Sequence, residues 1–168
     1  MINWIYYPQS DEPPPIVRGV VGAFEAVEKD ITSEGHQYES NQVLEILRPG
    51  LETIGFEVET GKKKAEKIYV PVLFGAQGKP AKAFEADAFS REHGFVLEVE
   101  AGRGVTNNQF LKDLFQACMM HEVTYFGVAV RNLYRRSHDY DRMVAFFDTL
   151  YASRRLDLPF KGMVAIGY

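Results

Sequence analysis

Carboxylates recur at alternate positions of two neighbouring predicted strands, in the segments FEADAF and FVLEVE. Because successive side chains of a strand point to opposite faces of a sheet, Glu85 and Asp87 share one face of the first strand. Glu98 and Glu100 likewise share one face of the next strand. Carboxylate oxygens suit a hard divalent cation such as Mg²⁺ or Mn²⁺, which keeps coordination places for water and phosphate. The pattern therefore predicts a metal site that meets a phosphoester.

The turn SREHG between these strands is short enough for a hairpin. A four-residue loop predicts that position 89 faces position 94 and that position 85 faces position 98, so that four carboxylates crowd one patch. Like charges that face each other destabilise a sheet by roughly several tenths of a kcal/mol per pair, so we expect a compensating cation. The other interpretation is the solvent side of an edge hairpin, where alternating glutamates prevent aggregation.

Three further polar residues flank this patch in the predicted arrangement. Glu39 shares a helix face with apolar residues and is predicted to lean toward the sheet, where it either joins the metal shell or interacts with the helix dipole. Asn107, in the first turn of a later helix, either caps that helix or faces the carboxylates. Arg103, next to the patch, is the expected contact to a phosphate group.

Net charge limits the classes of nucleic-acid partner. The 168 residues include 19 Lys and Arg against 23 Asp and Glu, a formal net charge of −4. This balance disfavours a protein that coats nucleic acid through bulk electrostatics, but it permits a local basic cleft. The basic turn of Lys62, Lys63 and Lys64 is either a solvated face or a grip on a nucleic-acid backbone.

Hydrophobic periodicity predicts the elements that position these residues. Helices are expected at about 16–31, from His36 to a break or kink at Pro49-Gly50, at about 107–120 and at about 140–153. Strands are expected at about 56–59, 67–74, 82–89 and 94–101, and in TYFGVAV and GMVAIG. The apolar stripe of the third helix is predicted to contain Phe110, Leu111, Leu114, Phe115, Cys118 and Met119. An α/β or α+β fold follows, with a mixed sheet flanked by helices.

The same reading predicts one domain over 1–168, with residues 1–15 as a proline-rich N-terminal extension. The single cysteine, Cys118, lies in an apolar run and is interpreted as core packing in a reducing compartment. No apolar run approaches the length of a spanning helix, and the first residues lack the pattern of a signal peptide. We therefore expect a cytoplasmic protein with no membrane partner.

The acidic residues and the element order together resemble the PD-(D/E)XK nuclease superfamily, which has the restriction-endonuclease-like fold. Its αβββαβ core is similar to the order expected over residues 36–130, about 95 residues of this chain. Ala86-Asp87 would match the first motif element and Glu98-Val99-Glu100 the second, with Glu39 as the acid of the first helix. Alanine replaces the motif proline, and Glu100 stands where the family usually has lysine. Some restriction enzymes of this fold are similar in placing Glu or Gln there.

The resemblance implies a Mg²⁺- or Mn²⁺-dependent endonuclease that hydrolyses phosphodiester bonds in DNA. Asp87, Glu98 and Glu100 would hold the metal, and Glu100 would position or deprotonate the attacking water. A second hypothesis is an inactive member of the same fold that binds nucleic acid or protein, which the missing lysine favours. A third is an unrelated α/β protein with an acidic sheet edge. A homodimer is expected by analogy with enzymes that cut both strands.

Overall fold

The computed structural model describes residues 1–102, 105 and 108–168. Its helices are α1 (Pro15–Ala26), α2 (Glu28–Ile31), α3 (Ser40–Thr53), α4 (Gln109–Met119) and α5 (Asp139–Ser153). Its strands are β1 (Asn3–Tyr7), β2 (Glu57–Val58), β3 (Ile68–Phe74), β4 (Pro80–Ala86), β5 (Ala88–Ser90), β6 (Phe95–Glu100), β7 (Tyr125–Val130) and β8 (Gly162–Gly167).

Six of the described strands form one mixed sheet in the order β1-β8-β7-β6-β5-β2. Strands β6, β7 and β8 are parallel, while β2, β5 and β6 form an antiparallel meander and β1 is antiparallel to β8. The predicted mixed sheet with flanking helices is thus confirmed. Strand β1 lies within the segment interpreted as an N-terminal extension, where the sequence analysis placed no element.

Helices cover both faces of this sheet and produce two hydrophobic cores. On one face α1 and α3 pack on Phe95, Leu97 and Val99. On the other face α4 and α5 pack on Val96, Phe126 and Val128. Burial of each such side chain stabilises the fold by roughly 1.5–3 kcal/mol. The face of the sheet to which each of these side chains points is therefore strongly determined. Strand β6 therefore follows the predicted alternation.

Strands β3 and β4 form a separate two-stranded arm. The residue pattern predicts one continuous strand over 82–89, and this prediction is wrong. The chain bends at Asp87, so that Ala86 joins the core beneath α4 while Ala88 joins the core beneath α3. The arm leaves the main sheet after β2 and returns at β5, and these two strands pair with each other.

The helix boundaries differ from the predicted ones in two places. Helix α3 begins at Ser40 rather than near His36 and continues through Pro49 to Thr53. The predicted helix over 16–31 is divided into α1 and α2 at Val27. Among the described residues, no helix combines the length and the apolar character that crossing a bilayer requires.

The tight turn between β5 and β6 depends on Gly94, and a substitution there tests the packing. Gly94 has φ +58°, and an added Cβ would lie 2.3 Å from the Glu122 carbonyl oxygen. Gly94→Ala is therefore expected to reduce the free energy of unfolding by about 3 kcal/mol, through left-handed strain and overpacking. Urea denaturation measures this change. The control is Gly78→Ala, which also has positive φ but no atom within 4 Å of the added Cβ, and which should cost only about 1 kcal/mol. Equal losses in both variants would contradict the packing explanation.

Candidate active site

Carboxylates from four regions of the chain line one cavity of about 460 Å³ at the end of β6. We call it the acidic cavity. The arm and the bend at Asp87 form one side, and α4 forms another. Its acidic lining residues are Glu59, Glu85, Asp87, Glu98, Glu100 and Asp113. The structure therefore brings Asp87, Glu98 and Glu100 together, as the sequence predicts.

Strand alternation places Glu98 and Glu100 in this cavity. Both residues have the parity of Val96, which packs beneath α4, and the opposite parity to Leu97 and Val99. The face that begins as apolar core at Val96 thus ends in two partly buried carboxylates. The carboxyl ends of neighbouring parallel strands are a common place for ligand sites in α/β sheets.

Asp87 is held in place by the backbone of β6. Its carboxylate Oδ2 accepts a hydrogen bond from the Val99 amide at 2.8 Å.

The predicted hairpin register was wrong by two residues, because Ala88 faces Leu97 and Phe89 faces Val96. A shift of two preserves side-chain parity, so Asp87 still lies on the side of Glu98.

Burial and mutual repulsion raise the pKa values of these carboxyl groups. Desolvation, followed by the charge of Glu59, raises the pKa of Asp87 to about 7 against the opposing effect of the Val99 amide. Desolvation and the charge of Asp113 raise the pKa of Glu100 to about 8. The pKa of Glu98 is also raised well above its usual value, by desolvation and then by Asp87. Near neutral pH the cluster therefore shares protons in the absence of a cation.

Asp113 belongs to the cavity, and the sequence analysis missed it. The buried face of α4 contains Phe110, Asp113 and Leu114, whereas Phe115 and Met119 of the predicted stripe are about half exposed. Asp113 lies three residues after the buried Phe110, and residues with this spacing share one face of a helix. This spacing is the sequence signal that indicates a buried position for Asp113. Its Oδ1 lies 3.1 Å from the Lys112 Nζ, and its buried Oδ2 has no hydrogen-bond partner among the described residues.

Lysine side chains compensate part of the negative charge. The Lys67 Nζ lies 2.7 Å from the Glu59 Oε1 and 3.6 Å from the Glu85 Oε2. Lys82 and Lys112 also line the cavity. The role of Glu59 was missed because the chain segment between Glu59 and Lys67 gives no periodic signal. Lys62, Lys63 and Lys64 are exposed and lie outside the lining of this cavity.

The remaining predicted site residues lie elsewhere. Glu39 does not lean toward the sheet: it is exposed at the N-cap of α3, where its amide donates to the Gln42 side chain at 2.9 Å. It lines a neighbouring cavity instead of the acidic one. Arg103 and Asn107 lie outside the described residues.

The donor set of the acidic cavity fits a hard divalent cation by chemistry. Its carboxylate oxygens are the ligands that Mg²⁺ and Mn²⁺ prefer, and the Oδ2 of Asp113 is a buried oxygen that needs a partner. Within residues 1–102, 105 and 108–168, however, no three His, Cys, Asp or Glu side chains already converge as a ligand set. Side-chain rotation within the cavity would therefore have to accompany binding.

A cavity larger than the acidic cavity lies elsewhere in the described part of the chain. It measures about 780 Å³ and lies between the end of β1, the C-terminal half of α5 and residues 156–161. Tyr7 and Tyr151 stack in its wall with ring centroids 4.9 Å apart. This cavity lacks a carboxylate cluster like that of the acidic cavity, which is therefore the candidate active site.

Comparisons with known proteins complete the description of the site. No protein-family model matches this sequence, and the search of curated proteins likewise gives no match.

Proposed function

We propose that this protein is a metal-dependent nuclease of the PD-(D/E)XK type that hydrolyses phosphodiester bonds in DNA. The observation that carries the proposal is that Asp87, Glu98 and Glu100 line one cavity. Burial raises the pKa values of all three carboxyl groups. A cluster of carboxyl groups with perturbed pKa values in a cleft is typical of a functional site.

The arrangement of the elements supports the same proposal. Helix α3 precedes the antiparallel strands β2, β5 and β6, and α4 then leads to β7, which is parallel to β6. This order is similar to the αβββαβ core of the restriction-endonuclease-like fold, with the arm inserted before β5. The family motif places one acid on the second strand of the meander and another on the third. In this chain Asp87 directly precedes the second strand, and Glu98 lies on the third.

Asp87, Glu98 and Glu100 each have a role in the proposed reaction. Asp87 and Glu98 would hold Mg²⁺ or Mn²⁺, which supplies an activated water at neutral pH and stabilises charge on the phosphate. Glu100 would accept a proton from the attacking water, because the positive charge of the bound metal favours its ionised form. The Val99 amide orients Asp87 through its hydrogen bond. The exposed Lys62, Lys63 and Lys64 remain the proposed grip on the nucleic-acid backbone.

A non-catalytic binding module of the same fold is the competing function. Two observations favour it: Glu100 occupies the position of the motif lysine, and no ligand set of three converges among the described side chains. Such a module would bind nucleic acid or a protein partner without cutting a phosphodiester bond.

Metal titration and a cleavage assay separate the two functions. Mn²⁺ or Mg²⁺ is expected to raise the melting temperature in a concentration-dependent way, because a ligand that binds only the folded state stabilises it. The same cations should support cleavage of supercoiled and linear DNA. Absence of any metal-induced shift would contradict the proposal, and binding without cleavage would support the module.

A further inference from the structure

A second cavity of about 390 Å³ lies beside the acidic cavity at the carboxyl edge of the sheet. We call it the arginine cavity. The lining residues that matter here are Tyr38, Glu39, Ala101, Arg131, Tyr134 and Arg135. We infer that the arginine cavity binds a phosphate group of the same nucleic-acid strand whose scissile phosphodiester lies in the acidic cavity. The inference rests on the proposed function and adds to it the place where the substrate strand continues.

Arg131 is the central group of this cavity. It is only 7% exposed, and one guanidinium nitrogen donates a hydrogen bond to the Tyr38 carbonyl oxygen. The guanidinium carbon lies 5.3 Å from the ring centroid of Tyr134. No carboxylate forms an ion pair with Arg131 among the described residues. A buried cation without a counter-charge is costly, so the site is built to receive an anion.

Arg135 adds a second positive charge on an ordered turn. Tyr134 and Ser137 exchange two backbone hydrogen bonds of 2.9 Å, and Arg135 follows Tyr134 with φ +57°. The exposed Arg135 guanidinium lies 5.4 Å from the same Tyr134 ring. Two guanidinium groups around one aromatic ring provide the planar forks that bind phosphate oxygens in pairs.

The acidic residues of the arginine cavity do not neutralise this charge by contact. Glu34 and Glu39 are both exposed, and neither pairs with an arginine within the described residues. The side chains that contact Arg131 are instead those of Tyr134 and Tyr168. The Tyr38 ring in the cavity wall stacks on His36 with ring centroids 4.9 Å apart, and a nucleotide base would extend this stack, which favours a nucleic-acid strand over a free inorganic anion.

A hydrogen bond and the register of two strands connect the two cavities. The Ala101 amide donates to the Ser40 hydroxyl at 3.1 Å, and Ala101 lines the arginine cavity while Ser40 lines the acidic one. Glu100 faces Val130 in the parallel register of β6 and β7, so Arg131 follows directly beside the end of β6. Arg131 has the parity of Ala129, on the α3 side of the sheet, whereas Glu100 lies on the α4 side. The substrate strand would therefore pass over the carboxyl edge of the sheet between the two cavities.

Binding of a fluorescein-labelled single-stranded oligonucleotide in EDTA tests the inference without requiring cleavage. Arg135→Ala is expected to weaken binding about tenfold and to reduce the slope of log affinity against log salt by about one. Arg131→Gln should weaken binding further. The matched control is Arg136→Ala, an exposed neighbour outside the cavity lining, which should change the affinity less than about twofold.

The outcomes separate this inference from the proposed function. Since Arg135 is exposed, its variant is expected to fold even if the buried Arg131 variant does not. Equal affinities of Arg135→Ala and Arg136→Ala, or no binding by the wild type, would overturn the inference. Loss of binding in Arg135→Ala together with no metal-dependent cleavage by the wild type would support the inference and reject the nuclease proposal.

Discussion

Asp87→Asn is expected to lower the rate of metal-dependent DNA cleavage at least about 10³-fold while leaving the protein folded. A metal acting on a phosphoryl group supplies several kcal/mol of transition-state stabilisation, and each 1.36 kcal/mol corresponds to about tenfold in rate. The asparagine carbonyl can still accept the hydrogen bond from the Val99 amide, so the bend between β4 and β5 is retained. Plasmid cleavage in Mg²⁺ measures the rate, and circular dichroism checks the fold.

Glu92→Gln is the control for this substitution. Glu92 lies exposed in the turn between β5 and β6, outside the lining of the acidic cavity. Its variant should cleave DNA at the wild-type rate. Undiminished cleavage by Asp87→Asn would show that the acidic cavity is not the catalytic site.

Raising the pH from 5 to 8 without metal is expected to reduce the free energy of unfolding by about 4 kcal/mol. The pKa values of Asp87 and Glu100 are raised to about 7 and about 8 in the folded protein, so the folded state holds protons that the unfolded state has already lost. Stability must then fall as the pH rises from the unfolded pKa, near 4, through the folded values. Each such group contributes a slope of about 1.4 kcal/mol per pH unit, which water in the cavity reduces.

Urea denaturation at several pH values in EDTA measures this slope, and Glu98→Gln provides the comparison. Removing one carboxylate from the cluster lowers the repulsion felt by Asp87 and Glu100, so the variant should be more stable than the wild type at pH 8. Saturating Mg²⁺ should diminish the pH dependence of the wild type, because the cation replaces the protons. A wild-type stability that rises between pH 5 and 8 would contradict the burial of these carboxyl groups.

Asp87, Glu98 and Glu100 could be predicted from the sequence because side chains alternate between the two faces of a strand. The pattern of β6 assigns Glu98 and Glu100 to one face whatever the register of the hairpin. Asp87 remained on that face because the error in register was an even number of residues. The mixed sheet also followed from order alone, since a strand, a helix and another strand imply a parallel crossover.

Other features depend on tertiary contacts that a local pattern does not contain. The pair of Glu59 and Lys67 forms because the chain folds back before the arm, and no spacing rule links the two residues. Strand β1 is short and is recognised only by its pairing with β8 at the far end of the chain. Glu39 has the periodicity of an inward residue, but the helix begins one residue later, so it caps the helix instead.

The arm of β3 and β4 contributes Lys82 and Glu85 to the rim of the acidic cavity, yet it is absent from the six-stranded sheet. Its two ends meet where β2 and β5 already pair, so the chain could be shortened or extended there without altering that pairing. The width of the entrance can therefore vary independently of the stability of the sheet. The tip of this hairpin could change in length while the carboxylates on β6 keep their positions.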